Sequence, residues 1–205
     1  MSDDLVNEVR AILDARFGAR EHAIGESRNV IRASANAIRA LHRGEDEKAD
    51  ALIAKAGDGL GSISGALTDN PELMSHSVVQ DAAKEYAEAR LTQAIFFGRE
   101  LPSFQDLGID PVPYLHGLGE AVGEARRRML DLLRSERLDE AEALLYEMDR
   151  IVDLLAEIDY PDGMTSGLRR TTDVARSLVE RSRSDLTATV VQERLRQDLR
   201  DTRGS

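Results

Sequence analysis

The stretch LDEAEALLYEMDRIVDLLAEIDYPDG at 138–163 indicates the fold class most clearly. Apolar residues recur in it every three or four positions, a spacing that places them on one face of an α-helix. The helix is expected to begin at Leu138 and to end at the turn DYPDG, because proline and glycine are poor helix formers. Its predicted apolar face consists of Ala141, Leu144, Leu145, Met148, Ile151, Val152 and Leu155.

The same spacing recurs along the rest of the chain, and no stretch alternates as a β-strand does. The sequence therefore predicts an all-α single domain of about six or seven helices. Its core is expected over about 20–190, and a charged tail over about 191–205 is expected to fray. The predicted helices are about 4–43, one that includes 49–56, about 75–97, about 114–134, one from 138, and one from about 165.

Glycine and proline mark the expected interruptions of these helices. The first helix is expected to break near Gly18 or Gly25, and the second to fade in GDGLGSISG at 57–65. TDNPEL at 68–73 is a predicted break, and LPSFQDLGIDPVP at 101–113 is the longest predicted loop. The apolar stripe of the first helix is predicted to consist of Ile24, Ile31, Ala35 and Ile38.

The composition argues against several classes of protein. The chain of 205 residues has no cysteine, which removes disulfide frameworks and thiolate metal sites. It has no apolar run of about eighteen residues and starts with the acidic MSDDLVNEVR, so neither a membrane span nor a signal peptide is expected. A cytoplasmic location is the default expectation. The net charge of −11 argues against a generally basic protein that coats nucleic acid, although a local basic groove is compatible with it.

Two pairs of glutamates at helical spacing carry the strongest chemical signal. Glu85 and Glu88 lie three positions apart, and Glu120 and Glu124 lie four positions apart, so each pair shares one helix face. If the two helices packed side by side, the four carboxylates would converge, and a hard divalent ion such as Mg²⁺ or Mn²⁺ would compensate their charge. Metal-dependent phosphodiester cleavage is the chemistry that such a cluster suggests. The alternative is a solvated helix face, because the chain carries 38 acidic residues.

A basic arc lies on the first predicted helix. At 100° per residue its four arginines fall within roughly 60° of one another, with Asn36 beside them. Planar guanidiniums suit phosphate oxygens, so the arc is a candidate for tracking a nucleic-acid backbone. The alternative, which the sequence leaves open, is a solvated face that pairs with acids of a neighbouring helix or subunit. The arc consists of Arg28, Arg32, Arg39 and Arg43.

Other catalytic motifs are missing from the sequence. None of the four histidines stands in an HExxH arrangement, which makes a zinc site improbable. His42, at the end of the arginine arc, is the one histidine placed near a possible nucleic-acid path. The glycine-rich stretch at 57–65 lacks the Lys-Ser/Thr ending of a phosphate loop.

Read in order, five segments of the chain resemble the translin family, and more closely its translin-associated factor X branch with the archaeal homologues. The resemblance spans about 20–190, most of the chain. The segments are SRNVIRASANAIRALHRGE at 27–45, EYAEA at 85–89, YLHGLGEAVGEARRR at 114–128, DYPDG at 159–163 and LRRTTDVARSLVERSRSDL at 168–186.

The resemblance implies a seven-helix fold that assembles into a hollow barrel, usually an octamer. Catalytic members of the family are Mg²⁺-dependent endoribonucleases that act on single-stranded RNA. Carried over by position, the family's acidic residues fall on Glu85, Glu88, Glu120 and Glu124, which are therefore the predicted metal ligands and catalytic residues. The factor X pattern has an aspartate at the position of Glu120, so the carboxylate here extends one methylene further.

The translin branch provides the main competing interpretation. It lacks the full acidic set and implies a non-catalytic oligomer that binds single-stranded RNA or DNA. Family subunits of the two kinds can co-assemble, so a second translin-family subunit is an implied partner. A third interpretation is a helical scaffold that binds another protein and no RNA.

Overall fold

The computed structural model describes residues 2–204, which form eight α-helices and one 3₁₀ helix and contain no strand. The predicted all-α class is therefore confirmed. Among these residues, no helix has the length and apolar character needed to span a membrane. The elements are α1 (Ser2–Arg43), α2 (Asp46–Ala66), the 3₁₀ helix (Pro71–Ser75), α3 (Ser77–Phe96), α4 (Phe104–Leu107), α5 (Pro111–Arg134), α6 (Leu138–Glu157), α7 (Asp162–Thr165) and α8 (Leu168–Gly204).

The chain divides into two compact units. The first comprises residues up to Arg90 together with Pro102–Tyr114, and the second comprises Leu91–Leu101 together with residues from Leu115 onward. The first unit therefore contains α1, α2, most of α3, and α4. The second contains most of α5 together with α6, α7 and α8.

The packing of α1 against α2 organises the first unit, and it corrects the predicted core of α1. Of the stripe expected from the sequence, only Ile38 is buried, whereas Ile24 and Ile31 are half-buried. Small side chains on the buried face allow α2 to approach closely, and the remaining space is filled by single branched residues such as Val30. The buried residues of α1 are Ala23, Ser27, Val30, Ala33, Ser34, Ala37, Ile38, Ala40 and Leu41.

Neither predicted glycine break of the first two helices occurs. α1 runs without interruption past Gly18 and Gly25, and α2 continues through 57–65 to Ala66. Gly59 shows why glycine is used inside a helix here, because a Cβ at this position would lie 2.7 Å from Cγ2 of Val30. Glycine costs a helix up to about 1 kcal/mol relative to alanine, and the close contact between α1 and α2 offsets that cost.

Three helices pack together in the second unit. All seven residues of the predicted α6 stripe are buried, which confirms that prediction. On α8 the buried apolar side chains are spaced at four and seven positions, as expected for one helix face. His116 links α5 to α7 and α8. Its Nδ1 lies 2.9 Å from Thr171 Oγ1 of α8, and its Nε2 lies 2.9 Å from the carbonyl oxygen of Thr165 of α7. The buried apolar residues of α8 are Leu168, Ala175, Val179 and Leu186.

The predicted loop at 101–113 contains short helical structure. Ser103 caps α4 by accepting a hydrogen bond from the Asp106 backbone N–H, and the Asp106 carboxylate accepts one in return from the Ser103 backbone N–H. This reciprocal pair is a capping box, which satisfies two otherwise unpaired donors. α5 begins at Pro111, three positions before the predicted start, because proline is well suited to the first position of a helix. The charged tail that was expected to fray from about residue 191 is helical, because α8 continues as far as Gly204.

Candidate metal and nucleic-acid sites

Glu85 and Glu88 form a close carboxylate pair on α3, in the first unit. Each offers an oxygen within 4.8 Å of an oxygen of the other. Glu88 is nearly buried, with 9% of its surface exposed. Lys84 lies beside the pair, with its Nζ 3.2 Å from a carboxylate oxygen of Glu85. The pair therefore offers oxygen ligands in a poorly solvated place, with an ammonium that competes for one of them.

Glu120 and Glu124 lie one turn apart on α5, in the second unit. The opposite side of this helix segment is held by α8, because Arg126 donates hydrogen bonds to Ser182 and to the Asp185 carboxylate, each at 2.8 Å. Helical rotation places the two glutamates roughly 100° or more from Arg126, away from that contact. Glu124 has a local cation partner, since Arg127 Nη1 lies 4.0 Å from its carboxylate. Both predicted pairs are thus present, each on the single helix face that its spacing requires.

The arginine arc lies on the face of α1 opposite the buried one, and its arginines are exposed. Within residues 2–204, Arg28 and Arg32 have neither an ion-pair partner nor a side-chain hydrogen bond. Arg39 instead donates to the Asn36 side chain at 2.7 Å, and Arg43 donates to the Arg39 carbonyl at 3.2 Å. Arg28 and Arg32 are therefore the two unengaged arginines of the arc, meaning that their guanidiniums have no partner within residues 2–204.

The end of the arc is partly neutralised by Glu45. Arg43 Nε lies 3.5 Å from this carboxylate, and Lys48 Nζ lies 2.8 Å from it. The hydrogen bond from Lys48, helped by both cations, lowers the pKa of Glu45, so the glutamate stays ionised beside Arg43. His42, the predicted nucleic-acid-binding histidine, is half-buried in the last turn of α1. Arg43 and His42 are therefore less available to a phosphate than Arg28, Arg32 and Arg39 are.

A groove that the sequence did not indicate lies within the second unit. It has a volume of about 580 Å³ and is lined by the ends of α3 and α5 and by α6. The guanidinium of Arg128 lies 5.7 Å from the centre of the Phe96 ring, while Tyr146 and Glu147 line the α6 side. No sequence signal could have located this groove, because its lining comes from three separate segments.

The chain is similar to one protein of known sequence and to several solved structures. An uncharacterised protein of Methanocaldococcus jannaschii is 27% identical over 204 residues, which cover 96% of this chain and 88% of that protein. Two solved structures of AfC3PO, one of them a complex with duplex RNA, match with a TM-score of 0.84 and 33% identity, over 91% of this chain and 97% of AfC3PO. Apo-NeC3PO shares the fold with a TM-score of 0.78 at 19% identity, over 91% of this chain and 96% of its own. No protein-family model matches the chain.

The fold and these matches define an all-α protein of the C3PO type, where C3PO denotes the component 3 promoter of RISC. The chain belongs to the translin family, as its identity to AfC3PO over nearly the whole length of both chains shows.

Proposed function

We propose that this protein is a metal-dependent endoribonuclease acting on single-stranded RNA. In this proposal, which follows the family resemblance, Glu85, Glu88, Glu120 and Glu124 hold Mg²⁺ or Mn²⁺. The same residues are the proposed catalytic ones, because the ion that they hold would activate the attacking water. The RNA backbone would be bound by Arg28, Arg32, Arg39, His42 and Arg43.

The Glu85–Glu88 pair is the observation that carries the proposal. Two carboxylate oxygens within 4.8 Å, one of them on a nearly buried residue, attract a cation more strongly than two exposed ones would. An all-oxygen donor set suits a hard ion such as Mg²⁺ or Mn²⁺. A divalent ion bound there would activate water for attack and stabilise the charge that grows on the phosphoryl oxygens.

RNA as the ligand is supported by one comparison and by the arginine arc. AfC3PO, at 33% identity, has been solved with duplex RNA. Here Arg28 and Arg32 present two exposed guanidiniums without acidic partners in the described chain. The family resemblance favours a single strand as the substrate to be cut, and single-stranded DNA as a further ligand, so both single-stranded and duplex substrates belong in the test.

Assembly is the remaining part of the proposal. By family resemblance we propose that the chain self-associates into a hollow barrel, with an octamer as the expected size. A second translin-family subunit is the alternative partner within the same barrel. If the carboxylates were enclosed in such a cavity, only a flexible single strand would be able to reach them.

The test is cleavage of an end-labelled single-stranded RNA and its duplex, with Mg²⁺ and with EDTA. The variant Glu85→Gln/Glu88→Gln removes the charge of the pair while keeping the side-chain size. Glu142→Gln, an exposed acid on α6, is the matched control. We expect Mg²⁺-dependent cleavage by the wild type and the control, and a loss of about a hundredfold or more in the double variant. Cleavage that survives in a folded double variant would disprove the site.

A second candidate function is RNA binding without cleavage, as in the translin branch. The observation that favours it is that Glu85 and Glu124 already have cationic neighbours, Lys84 and Arg127. In that case the acids act as ion-pair partners. RNA binding that is unchanged by EDTA and by the double variant, with no cleavage under any divalent ion, would support this candidate over the first.

A further inference from the structure

The groove of the second unit has the features of a site for a flat ligand. Its volume of about 580 Å³ is within the range of about 300–1,000 Å³ that is usual for sites of small organic ligands. Two aromatic side chains line it: Phe96 at the end of α3, and Tyr146 of α6, which is 63% exposed. Because the Tyr146 ring is exposed, a flat ligand can stack on it without disturbing the core.

Arg128 adds a planar cation to these rings. Its guanidinium lies 5.7 Å from the centre of the Phe96 ring, and the side chain is half-buried. Within residues 2–204 Arg128 has neither an ion-pair partner nor a side-chain hydrogen bond, so its N–H groups are available to a ligand. A guanidinium stacks through its plane and donates hydrogen bonds through its edge. Phe96 and Arg128 together therefore suit a flat group that carries hydrogen-bond acceptors.

The charges of the groove favour a neutral ligand. Its α6 side carries the acids Glu140, Glu142 and Glu147, and the first and last of these are already ion-paired with neighbouring arginines. A phosphate inside the groove would meet carboxylates that repel it, and a cationic side chain would be repelled by Arg128. A nucleobase is flat and neutral and has acceptor atoms at its edge, so it fits the groove where the phosphate does not.

The groove lies close to two of the glutamates that the proposed function assigns to the metal. On α5, Glu120, Glu124 and Arg128 follow one another at four-residue spacing, so they run along one side of the helix with a drift of about 40° per step. Arg128 is therefore about 6 Å from Glu124 along the helix axis. A strand whose phosphate is bound near Glu124 can place a neighbouring base in the groove.

We propose that this groove binds an unpaired nucleobase of single-stranded RNA. The base stacks on the aromatic side chains Phe96 and Tyr146, and Arg128 donates to an acceptor at its edge. The inference rests on the RNA binding included in the proposed function, and it names the feature that distinguishes a single strand from a duplex.

The base site and the arginine arc differ in what they recognise. The bases of a duplex are paired and stacked on one another, so they are not free to enter a groove, whereas the bases of a single strand are. The phosphates that the arc would contact are present in both kinds of RNA. The groove therefore gives a preference for single strands that the arc alone does not.

The first test compares a single-stranded RNA with its duplex by fluorescence anisotropy in EDTA, where no metal-dependent cleavage occurs. Losing the stacking of one base weakens binding by about fivefold or more. Phe96→Leu/Tyr146→Leu should therefore bind the single strand at least fivefold more weakly and the duplex as the wild type does. Tyr160→Leu, at a tyrosine that is 58% exposed and lies outside the groove, is the matched control. It should bind both RNAs as the wild type does.

Three outcomes of this test would overturn the base site. They are equal weakening of single-strand and duplex binding, unchanged single-strand binding in the double variant, and a wild type that binds no single-stranded RNA. Circular dichroism and the melting temperature check that each variant is folded. Tyr146→Leu alone alters an exposed side chain, so it decides the question if the change at Phe96 unfolds the chain.

The second test identifies the base as the bound group. An abasic RNA keeps the phosphates of the strand but has no bases, so the wild type should bind it at least fivefold more weakly than the intact strand, and the double variant should lose this preference. Arg128→Lys keeps the charge but not the guanidinium plane, so it should weaken binding of the intact strand only, with an unchanged salt dependence. Equal wild-type affinities for the two strands would overturn the proposal.

These binding measurements separate the base site from the nuclease activity. A protein that prefers the intact strand but cuts no RNA with Mg²⁺ would contradict the proposed catalysis and leave the base site in place. A protein that cuts RNA with Mg²⁺, but whose double variant binds single strand, duplex and abasic RNA as the wild type does, would contradict the base site alone.

Discussion

Gly119 of α5 and Thr171 of α8 are so close that a Cβ at position 119 would lie 2.4 Å from Thr171 Cγ2. Thr171 cannot simply turn away, because its Oγ1 is 2.9 Å from His116 Nδ1. Rotating the side chain would give up that hydrogen bond. The glycine therefore allows a close approach of α5 to α8 that keeps His116 hydrogen-bonded, and it does so in the turn that carries Glu120.

Gly119→Ala is expected to lower the free energy of unfolding by about 1–3 kcal/mol, the usual range for overpacking. Gly123→Ala, one turn later, is the matched control, because a Cβ there would meet only Leu178 Cδ1 at 3.8 Å. That control should be neutral or stabilising by up to about 1 kcal/mol through helix propensity. Urea unfolding followed by circular dichroism measures both variants.

A companion variant isolates the clash at position 119. Adding Thr171→Ser to Gly119→Ala removes Cγ2 and keeps the hydroxyl for His116, so it should recover most of the lost stability. If the single variant were as stable as the wild type, or if the added serine gave no recovery, the contact would not have the role assigned to it.

Removing the two unengaged arginines of the arc should weaken RNA binding mainly through charge. Arg28→Ala/Arg32→Ala is expected to make the dependence of log K on log salt shallower by about 1.4, the value for two phosphate contacts to a single strand. Arg150→Ala/Arg176→Ala removes the same charge from arginines that already have acidic partners, and it should leave the slope unchanged. Fluorescence anisotropy over a salt series gives the slopes, and equal slopes in all three proteins would rule out the arc as the RNA path.

Metal affinity should depend on Glu85 even without RNA. Glu85→Gln is expected to weaken Mn²⁺ binding by about tenfold or more, because the loss of a ligand costs at least as much as the loss of a group that supports one. Electron paramagnetic resonance of free Mn²⁺ during titration measures the affinity. Glu142→Gln should bind as the wild type does. Equal affinities in all three proteins would place the metal elsewhere, whatever the cleavage assay shows.

The capping box of α4 gives a pH dependence whose sign is determined. The hydrogen bonds from the Ser103 side chain and backbone N–H lower the pKa of Asp106. Because the folded pKa is depressed, the stabilisation is complete above the ordinary aspartate pKa and is lost as the pH falls through the folded one. The difference in unfolding free energy between wild type and Asp106→Asn should therefore be largest near neutral pH and vanish in acid.

Ser103→Ala tests the cause of that pH dependence. It removes the largest of the interactions that lower the pKa, so its loss of stability relative to the wild type should become smaller as the pH falls. The part that remains in acid is the lost hydrogen bond from the Asp106 backbone N–H to Ser103 Oγ. Thermal melting from neutral pH to about pH 2 measures the series. A difference from the wild type that stays constant over this range would show that the carboxylate is not held by the cap.

Periodicity was enough to predict most of the helices. α6 has long apolar side chains at regular spacing, and all seven predicted positions are buried. It failed for α1, where the large side chains Ile24 and Ile31 suggested a face that is only half-buried. The buried face there is made mostly of alanine and serine, whose hydrophobic signal is weak and whose small size is what the packing requires. Close helix packing depends on volume, which a hydrophobicity pattern does not report.

The sequence by itself determined the helical class, the α6 face, and the placing of each glutamate pair on one helix face, because these depend only on residues three or four positions apart. Only the tertiary structure decided that the glycine-rich segment 57–65 stays helical, since Gly59 is selected by contact with Val30 of another helix. It also decided which arginines of the arc are unengaged, because Arg43 meets Glu45 only after the chain turns beyond α1. Local spacing specifies a helix and its faces, whereas partners distant along the chain specify which of those faces remain available for function.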